Sequence, residues 1–168
     1  MSNIYLVGFM GTGKSAVGRE LAKKKKWRFV DLDELIELRE GRCIADIFSK
    51  KGEPYFRRLE KKILAEVAGE DKFIVSCGGG VVTSEDNIKM MKKTGLIVCL
   101  KATPGVILRR TKQLAGCRPL LNVNNPKERI EFLLKLRAPY YAKAHKSINT
   151  SRLSVSQVAA GIIKLLKR

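Results

Sequence analysis

Short, continuous apolar runs alternate along the chain with longer segments whose apolar residues recur at helical spacing. Runs of roughly four to eight apolar residues are typical of strands that are buried on both faces. Such runs predict four strands and a short fifth one, at residues 4–9, 27–33, 73–77, 96–102 and within 146–154.

The segments between these runs carry the period of amphipathic helices. In the first of them, Val17, Leu21 and Ala22 fall on one side. The helices predicted to end at Gly41 and Gly52 do so because glycine is favoured just past the last helical turn. The predicted helices are residues 15–26, 33–41, 44–52, 53–69, 84–95, 103–115, 127–144 and 155–168.

Strands that alternate with helices predict an α/β fold, with a central five-stranded parallel sheet between two helical layers. Ligands of such three-layer α-β-α proteins bind at the carboxyl ends of the strands. The first three strands are predicted to end near Gly8, Asp33 and Gly78, so we expect the chemistry to converge there.

Length and composition are those of one globular domain, residues 1–168, with 45% hydrophobic and 30% charged residues. The apolar run at the N-terminus is far shorter than a membrane span, and no basic signal-peptide region precedes it. We therefore expect a cytoplasmic protein with no membrane partner. The four cysteines lack metal spacing with the single histidine and are predicted to be reduced thiols, mostly buried.

The net charge is unusual: the chain has 34 Lys and Arg residues but only 16 Asp and Glu residues, which gives a formal charge of +18. Such a field attracts polyanions, including nucleic acid and phosphorylated small molecules. The basic run Lys23–Lys26 is equally typical of a solvated helix end. No zinc finger, RRM-like aromatic motif or basic helix-turn-helix accompanies it, so we expect no specific nucleic-acid partner.

Residues 8–15, GFMGTGKS, match the phosphate-loop pattern GxxxxGK[ST] in full. Glycines allow the backbone to wrap with its N–H groups inward, and the helix that follows points its positive end at the phosphate. Lys14 is expected to reach the β- and γ-phosphates, and Ser15 to bind Mg²⁺. Because a strand precedes the loop and a helix follows it, the segment predicts nucleoside triphosphate binding rather than a plain glycine-rich turn.

The rest of the chain narrows the classes of phosphate-loop protein. No NKxD base-recognition motif of GTPases is present, and 168 residues are few for a helicase or a motor. These observations favour a small-molecule kinase, which needs an acceptor pocket and arginines around the transferred phosphoryl group.

Asp31 and Asp33 are candidates for metal binding and for handling the acceptor hydroxyl. On a strand, residues two apart point the same way, so both are expected to face the phosphate. One would hold Mg²⁺, and the other would orient or deprotonate the hydroxyl. The alternative is a strand-end turn in which Asp33 caps the next helix.

Arginines are the candidates for binding anionic groups of the substrates, because a guanidinium forms paired hydrogen bonds with a carboxylate or phosphate. The arginines considered are Arg57, Arg58, Arg118 and Arg137, and a solvated surface position is the alternative for each. Arg118 and Arg137 stand out because each lies in a proline context, RPLL and RAP. Gly78–Gly80 would let a ligand approach the backbone, or would form a plain loop.

Seven motifs, in this order, resemble the shikimate kinase family over nearly the whole chain: GFMGTGKS, DLD, GRCIADIF, GEPYFRRLE, SCGGGVV, RPLL and KLRAPYY. The resemblance implies transfer of the γ-phosphate of ATP to the 3-hydroxyl of shikimate, with Mg²⁺ bound alongside ATP. It also implies a P-loop kinase fold, a substrate-binding region at about 33–61, a mobile lid at about 112–125, and a monomer.

The resemblance implies roles for individual residues. Asp33, Lys14 and Arg118 are the implied catalytic residues, and Ser15 and Asp31 the implied Mg²⁺ ligands. The implied nucleotide-binding residues are Gly11, Thr12, Gly13, Lys14, Ser15, Ala16, Arg110 and Arg118. The implied shikimate-binding residues are Asp33, Arg57, Gly78, Gly79, Gly80 and Arg137.

Within that set, Asp33 is implied to bind the shikimate hydroxyls and act as base, while Arg57 and Arg137 grip the carboxylate. Arg118 is implied to lie on the lid and Arg110 to pack on adenine, and Glu60 and Phe56 support Arg57 and the pocket wall. One departure concerns adenine, because Asn149 stands where the family often has an aspartate. The nearest alternative function is another small-molecule kinase of the same fold, such as a gluconate kinase.

Overall fold

The structure is a computed structural model that describes residues 3–112 and 123–167. Five strands form one parallel sheet in the order β2-β3-β1-β4-β5. The strands are β1 Asn3–Val7, β2 Arg28–Asp31, β3 Phe73–Ser76, β4 Gly95–Lys101 and β5 Lys146–Asn149. The predicted five-stranded parallel sheet is confirmed, including its short last strand.

Helices pack on both faces of the sheet, as the alternation of patterns predicts. A 3₁₀ turn, Val81–Thr83, follows the triple glycine. In the part of the chain that the structure describes, the helices are α1 Lys14–Lys25, α2 Leu32–Glu40, α3 Ile44–Ala68, α4 Glu85–Thr94, α5 Pro104–Thr111, α6 Pro126–Tyr141 and α7 Val155–Leu166.

The two hydrophobic layers arise from the two-residue period of the strands. Ile4 and Leu6 of β1 face α1 and α7, whereas Tyr5 and Val7 face the layer that contains α2, α3 and α4. A smaller cluster packs Phe9 of the phosphate loop against α5 and α6. The core therefore holds the loop rigidly at the carboxyl end of β1.

The junction between β2 and α2 differs from the predicted strand over 27–33. Asp31 ends β2, and its Oδ1 accepts the backbone N–H groups of Asp33 (3.0 Å) and Glu34 (3.2 Å). This cap starts α2, so Asp33 lies in the first helical turn. The prediction that the strand continues to Asp33 is wrong, and so is the alternative in which Asp33 is the cap.

The two helices predicted over 44–52 and 53–69 form one element, α3, with a break inside it. Gly52 has φ 80° and ψ 167°, a conformation that favours glycine, and Pro54 lies in the first turn beyond the break. The predicted end at Gly52 thus corresponds to a real interruption of the helix.

Residues 113–122 lie outside the described part, and with them the end of the predicted helix 103–115, most of the predicted lid, Cys117 and Arg118. Of the cysteines that are described, Cys77 and Cys99 are buried free thiols and Cys43 is an exposed one. Within the described ranges no helix combines the length and apolarity needed to cross a membrane.

Candidate active site

A cavity of about 400 Å³ opens at the carboxyl ends of the central strands. It brings together residues that the sequence places far apart. Those predicted site residues that line it are Gly11, Gly13, Lys14, Ser15, Ala16, Asp31, Asp33, Arg57, Gly78, Gly79, Gly80 and Arg137. Thr12 is a buried residue of the phosphate loop that does not line the cavity, Arg110 contacts the loop backbone at Gly11, and Arg118 is outside the described residues.

The phosphate loop adopts a backbone that requires glycine. Gly8, Gly11 and Gly13 have φ values of 142°, 77° and 97°, and a Cβ on Gly8 would overlap the carbonyl oxygen of Leu100. Lys14 folds over the loop, and its Nζ donates to the carbonyl oxygens of Gly8 (2.9 Å) and Phe9 (3.0 Å). Its ammonium group is therefore held above the cradle that a phosphate would enter.

Oxygen ligands for a hard cation meet beside the loop. Ser15 Oγ donates to Asp31 Oδ2 and lies 3.2 Å from Ser76 Oγ, so three elements contribute one oxygen group each. Across residues 3–112 and 123–167, no group of three or more His, Cys, Asp or Glu side chains forms a metal cage. This set fits Mg²⁺, which takes one or two protein oxygens and completes its shell with phosphate and water.

Ser76 is a contributor that the sequence reasoning missed. It ends β3 within the SCGGG motif, is buried, and lies opposite Asp31 in the β2–β3 register. Only the glycines of this motif are candidates in the sequence, although the position of Ser76 at the end of a strand indicates the end of the sheet where ligands bind.

The other half of the cavity contains the two predicted carboxylate-binding arginines. Arg57 Nη1 donates to Glu60 Oε1 (2.9 Å), and its Nη2 and Nε donate to Glu53. Arg137 is buried on α6, and its guanidinium lies 5.6 Å from the ring centre of Phe9. Arg137 Nη1 is buried and lacks a hydrogen-bond partner in the described part of the chain, so it is available to a ligand anion.

The charged groups lie so close to the backbone of Gly78–Gly80 that no side chain would fit at these three positions. A Cβ on Gly78 would lie 2.7 Å from Glu60 Oε2 and 3.0 Å from Asp33 Oδ1, and one on Gly80 would lie 2.7 Å from Arg57 Cζ. A Cβ on Gly79 would lie 3.2 Å from Arg137 Nη1. The glycines therefore allow Asp33, Glu60 and both arginines to surround one backbone segment.

Glu60 is a fully buried carboxylate in this group. Burial raises its pKa from 4.5 to about 7, the nearby Asp33 carboxylate also raises it, and Arg57 and Arg137 lower it. Glu60 Oε2 accepts no hydrogen bond from the residues that the structure describes. The pocket thus holds a buried acceptor atom as well as a buried donor.

Tyr141 is a second residue that the sequence reasoning missed. Its hydroxyl donates to the carbonyl oxygen of Gly79 (2.6 Å), and burial raises its pKa to about 12, although Arg137 lowers it. The hydrogen bond fixes the triple-glycine segment to the end of α6. The only sequence signal was its place four residues after Arg137 in KLRAPYY.

Behind the phosphate loop, α5 and the end of β5 meet the loop backbone. Arg110 Nη1 donates to the carbonyl oxygen of Gly11 (3.2 Å) and to Thr150 Oγ1 (3.1 Å). Thr150 Oγ1 in turn lies 2.8 Å from the carbonyl oxygen of Thr12. Arg110 therefore stands beside the nucleotide end of the site rather than in the acceptor pocket.

Comparison with known proteins agrees with this arrangement. The sequence model of the shikimate kinase family matches residues 10–167. The chain is similar to the shikimate kinase of Thermodesulfovibrio yellowstonii, with 47% identity over 100% of this chain and 96% of the relative.

Solved structures give the same result. The fold is similar to that of the shikimate kinase from Acinetobacter baumannii in complex with shikimate, with a TM-score of 0.95, 38% identity, and coverage of 99% of this chain and 93% of the other. A gluconokinase from Sinorhizobium meliloti 1021 shares the fold at 16% identity and a TM-score of 0.57, over 99% of this chain and 94% of the other, which shows no more than the fold. The resemblance found in the seven motifs is thereby confirmed: this chain belongs to the shikimate kinase family.

Proposed function

We propose that this chain transfers the γ-phosphate of ATP to the 3-hydroxyl of shikimate, giving shikimate 3-phosphate and ADP on the route to chorismate and the aromatic amino acids. The observation that carries the proposal is one cavity in which a phosphate loop faces two arginines and an aspartate across a triple glycine. Family membership supplies the identity of the acceptor.

The nucleotide half of the site does its work by orientation and charge. Backbone N–H groups of the phosphate loop and the N-terminus of α1 surround the β- and γ-phosphates, and Lys14 moves from the loop carbonyls to the phosphate oxygens. Ser15 and Asp31 are the proposed Mg²⁺ ligands, and Ser76 supports them. Mg²⁺, when bound with ATP, neutralises charge on the β- and γ-phosphates.

The acceptor half binds shikimate by its carboxylate and presents one hydroxyl. Arg57 and Arg137 each offer a planar donor edge, so two paired hydrogen bonds hold the carboxylate. Asp33, on the first turn of α2, accepts the hydroxyl proton and directs the oxygen at the γ-phosphate. The backbone of Gly78–Gly80 contacts the ring closely because none of these residues carries a side chain.

Two further arginines, Arg118 and Arg110, are proposed to bind the nucleotide. Arg118 is assigned by the resemblance to the lid and the transferring phosphate, and it lies outside the described residues. Arg110 is assigned to adenine. Its hydrogen bonds to Gly11 and Thr150 hold the guanidinium beside the phosphate loop, where its planar face is suited to stacking on an adenine ring.

We propose that the protein works as a monomer, as the resemblance to the shikimate kinase family implies. We also propose that the protein works in the cytoplasm, where ATP is supplied, and that nucleic acid is not a specific partner. Size-exclusion chromatography with light scattering tests the first of these proposals.

A comparison of acceptors tests the proposed function. Shikimate, gluconate and nucleoside monophosphates are supplied separately with Mg-ATP, and ADP release is measured. We expect turnover with shikimate alone, since only a carboxylate acceptor with ring hydroxyls satisfies both arginines and Asp33. Turnover with gluconate in preference to shikimate would establish the alternative kinase.

A further inference from the structure

The end of β5 contacts the phosphate loop from the side opposite the cavity. Thr150, the residue that follows β5, is 2% exposed and makes hydrogen bonds to three other segments of the chain. Its backbone N–H donates to the carbonyl oxygen of Lys101 (2.7 Å), which fixes it at the carboxyl end of β4.

The Thr150 hydroxyl joins this anchor to the loop. Oγ1 lies 2.8 Å from the carbonyl oxygen of Thr12 and 3.2 Å from that of Lys101, and both oxygens can only accept. Its single proton is therefore shared between two carbonyls, with the shorter contact to the loop. The same Oγ1 accepts from Arg110 Nη1 (3.1 Å), and that nitrogen also donates to Gly11 O.

The orientation of one peptide group follows from these contacts. A trans peptide is planar, and its C=O and N–H point in opposite directions. Because the carbonyl of Thr12 is held toward Thr150, the N–H of Gly13 points the other way, into the cavity that Gly13 lines. Gly13 has φ 97°, a backbone conformation that residues other than glycine rarely adopt, so contacts with other parts of the chain must hold this peptide in place.

We propose that Thr150 is a positioning residue for nucleotide binding, which orients the Thr12–Gly13 peptide so that the Gly13 N–H donates to a nucleotide phosphate. The hydroxyl acts together with Arg110, and the pair holds two consecutive loop carbonyls away from the anion. Loss of the hydroxyl removes a donor from a buried carbonyl and permits the peptide to rotate. The inference rests on the nucleotide-binding half of the proposed function and is independent of the acceptor.

The test uses Thr150→Val, which keeps the shape and removes the hydroxyl, and Thr150→Ser, which keeps the hydroxyl. Affinity for Mg-ADP and for shikimate is measured separately by calorimetry. We expect Thr150→Val to weaken Mg-ADP binding about tenfold, with shikimate affinity unchanged and Thr150→Ser close to the parent. The ¹⁵N–¹H signal of Gly13 should shift on Mg-ADP binding in the parent and in Thr150→Ser, and much less in Thr150→Val.

Thr94→Val is the matched control, because the Thr94 hydroxyl bonds to Tyr5 and Met90 near the amino end of β4, whereas Thr150 is bound at its carboxyl end. It should lower thermal stability while leaving Mg-ADP affinity intact. If valine does not fit at position 150, Thr150→Ala removes the same hydroxyl from a smaller side chain.

A Thr150→Val protein that is less stable but binds Mg-ADP as the parent does would reduce Thr150 to a structural residue and overturn the proposal. The same conclusion follows if the serine variant fails to restore the affinity. Failure of shikimate as acceptor would leave these binding results untouched, so the two proposals fail separately.

Discussion

At the scale of single residues, the acceptor pocket holds a balance of charge that depends on burial. Glu60 pairs with Arg57 through one oxygen only, and its burial outweighs that pairing in setting its pKa near 7. In the unfolded chain the same carboxyl has a pKa of 4.5. The folded protein therefore binds more protons than the unfolded chain between these two pH values.

Glu60 should make the free energy of unfolding fall as pH rises from 4.5 to about 7. The contribution is fully present below pH 4.5 and is lost by the time Glu60 ionises in the folded state. The Gln side chain of Glu60→Gln cannot titrate. The free energy of unfolding of the parent should therefore fall relative to that of this variant as pH rises over that range. Urea unfolding of both proteins at several pH values measures this difference. A difference that does not change with pH would contradict the raised pKa of Glu60.

His145 is present in both proteins, so its contribution to the pH dependence cancels in this comparison. Its Nδ1 accepts the backbone N–H of Ile97 (2.9 Å), and burial, with a contribution from Lys92, lowers its pKa. It therefore destabilises both proteins equally as pH falls below its ordinary value.

Arg137→Lys should raise KM for shikimate about tenfold or more, because lysine replaces a planar double donor with a point charge. KM for ATP should stay within about twofold, since Arg137 is proposed to bind the carboxylate of the acceptor and not the phosphates of the nucleotide. Steady-state kinetics with each substrate varied in turn separates the two effects. Arg129→Lys, two turns earlier on α6, is the control; equal effects of the two changes would argue against a carboxylate site at Arg137.

At the scale of elements, the sequence predicts the sheet well because its strands are short apolar runs buried on both sides. The sequence also predicts the phosphate loop, because the loop backbone requires glycine at fixed positions. The β2–α2 junction was not predicted, because FVDLD satisfies a strand pattern and only the Asp31 cap decides where the helix begins. Ser76 and Tyr141 were missed because their roles depend on strand register and helix packing.

Helix α7 offers a direct test of element stability. Ser154 and Gln157 form a reciprocal capping box at its N-terminus. Ser154→Ala should lower the free energy of unfolding by about 1 kcal/mol, as measured by urea denaturation. Ser156→Ala, inside the first turn, should have little effect, and a similar loss in both variants would show that the cap contributes nothing specific.

At the scale of the whole molecule, the charge of +18 surrounds a site that takes two anionic substrates. The run Lys23–Lys26 lies at the far end of α1, about 18 Å from the phosphate loop by helix rise. There it complements the negative end of the helix, as a solvated helix end does. This run is therefore too far away to contact a bound phosphate, and any steering of the substrates comes from the summed charge of the molecule.

The association rate of Mg-ATP should fall as ionic strength rises, because salt screens the steering field. Stopped-flow binding between about 20 mM and 500 mM salt measures the rate constant. A neutral osmolyte at matched osmolality is the control and should leave the rate nearly constant. A rate that is independent of salt would remove any steering role from the excess positive charge.

Asp33 is the residue proposed to orient or deprotonate the hydroxyl of shikimate beside the phosphate loop. Measuring ADP release from Mg-ATP, with and without shikimate, in the parent chain and in Asp33→Asn tests this role. We predict turnover that requires shikimate and that collapses by at least about a hundredfold in Asp33→Asn, with Mg-ADP affinity retained. Shikimate-independent turnover would rule out shikimate as the acceptor, and a variant as active as the parent would rule out the proposed role of Asp33.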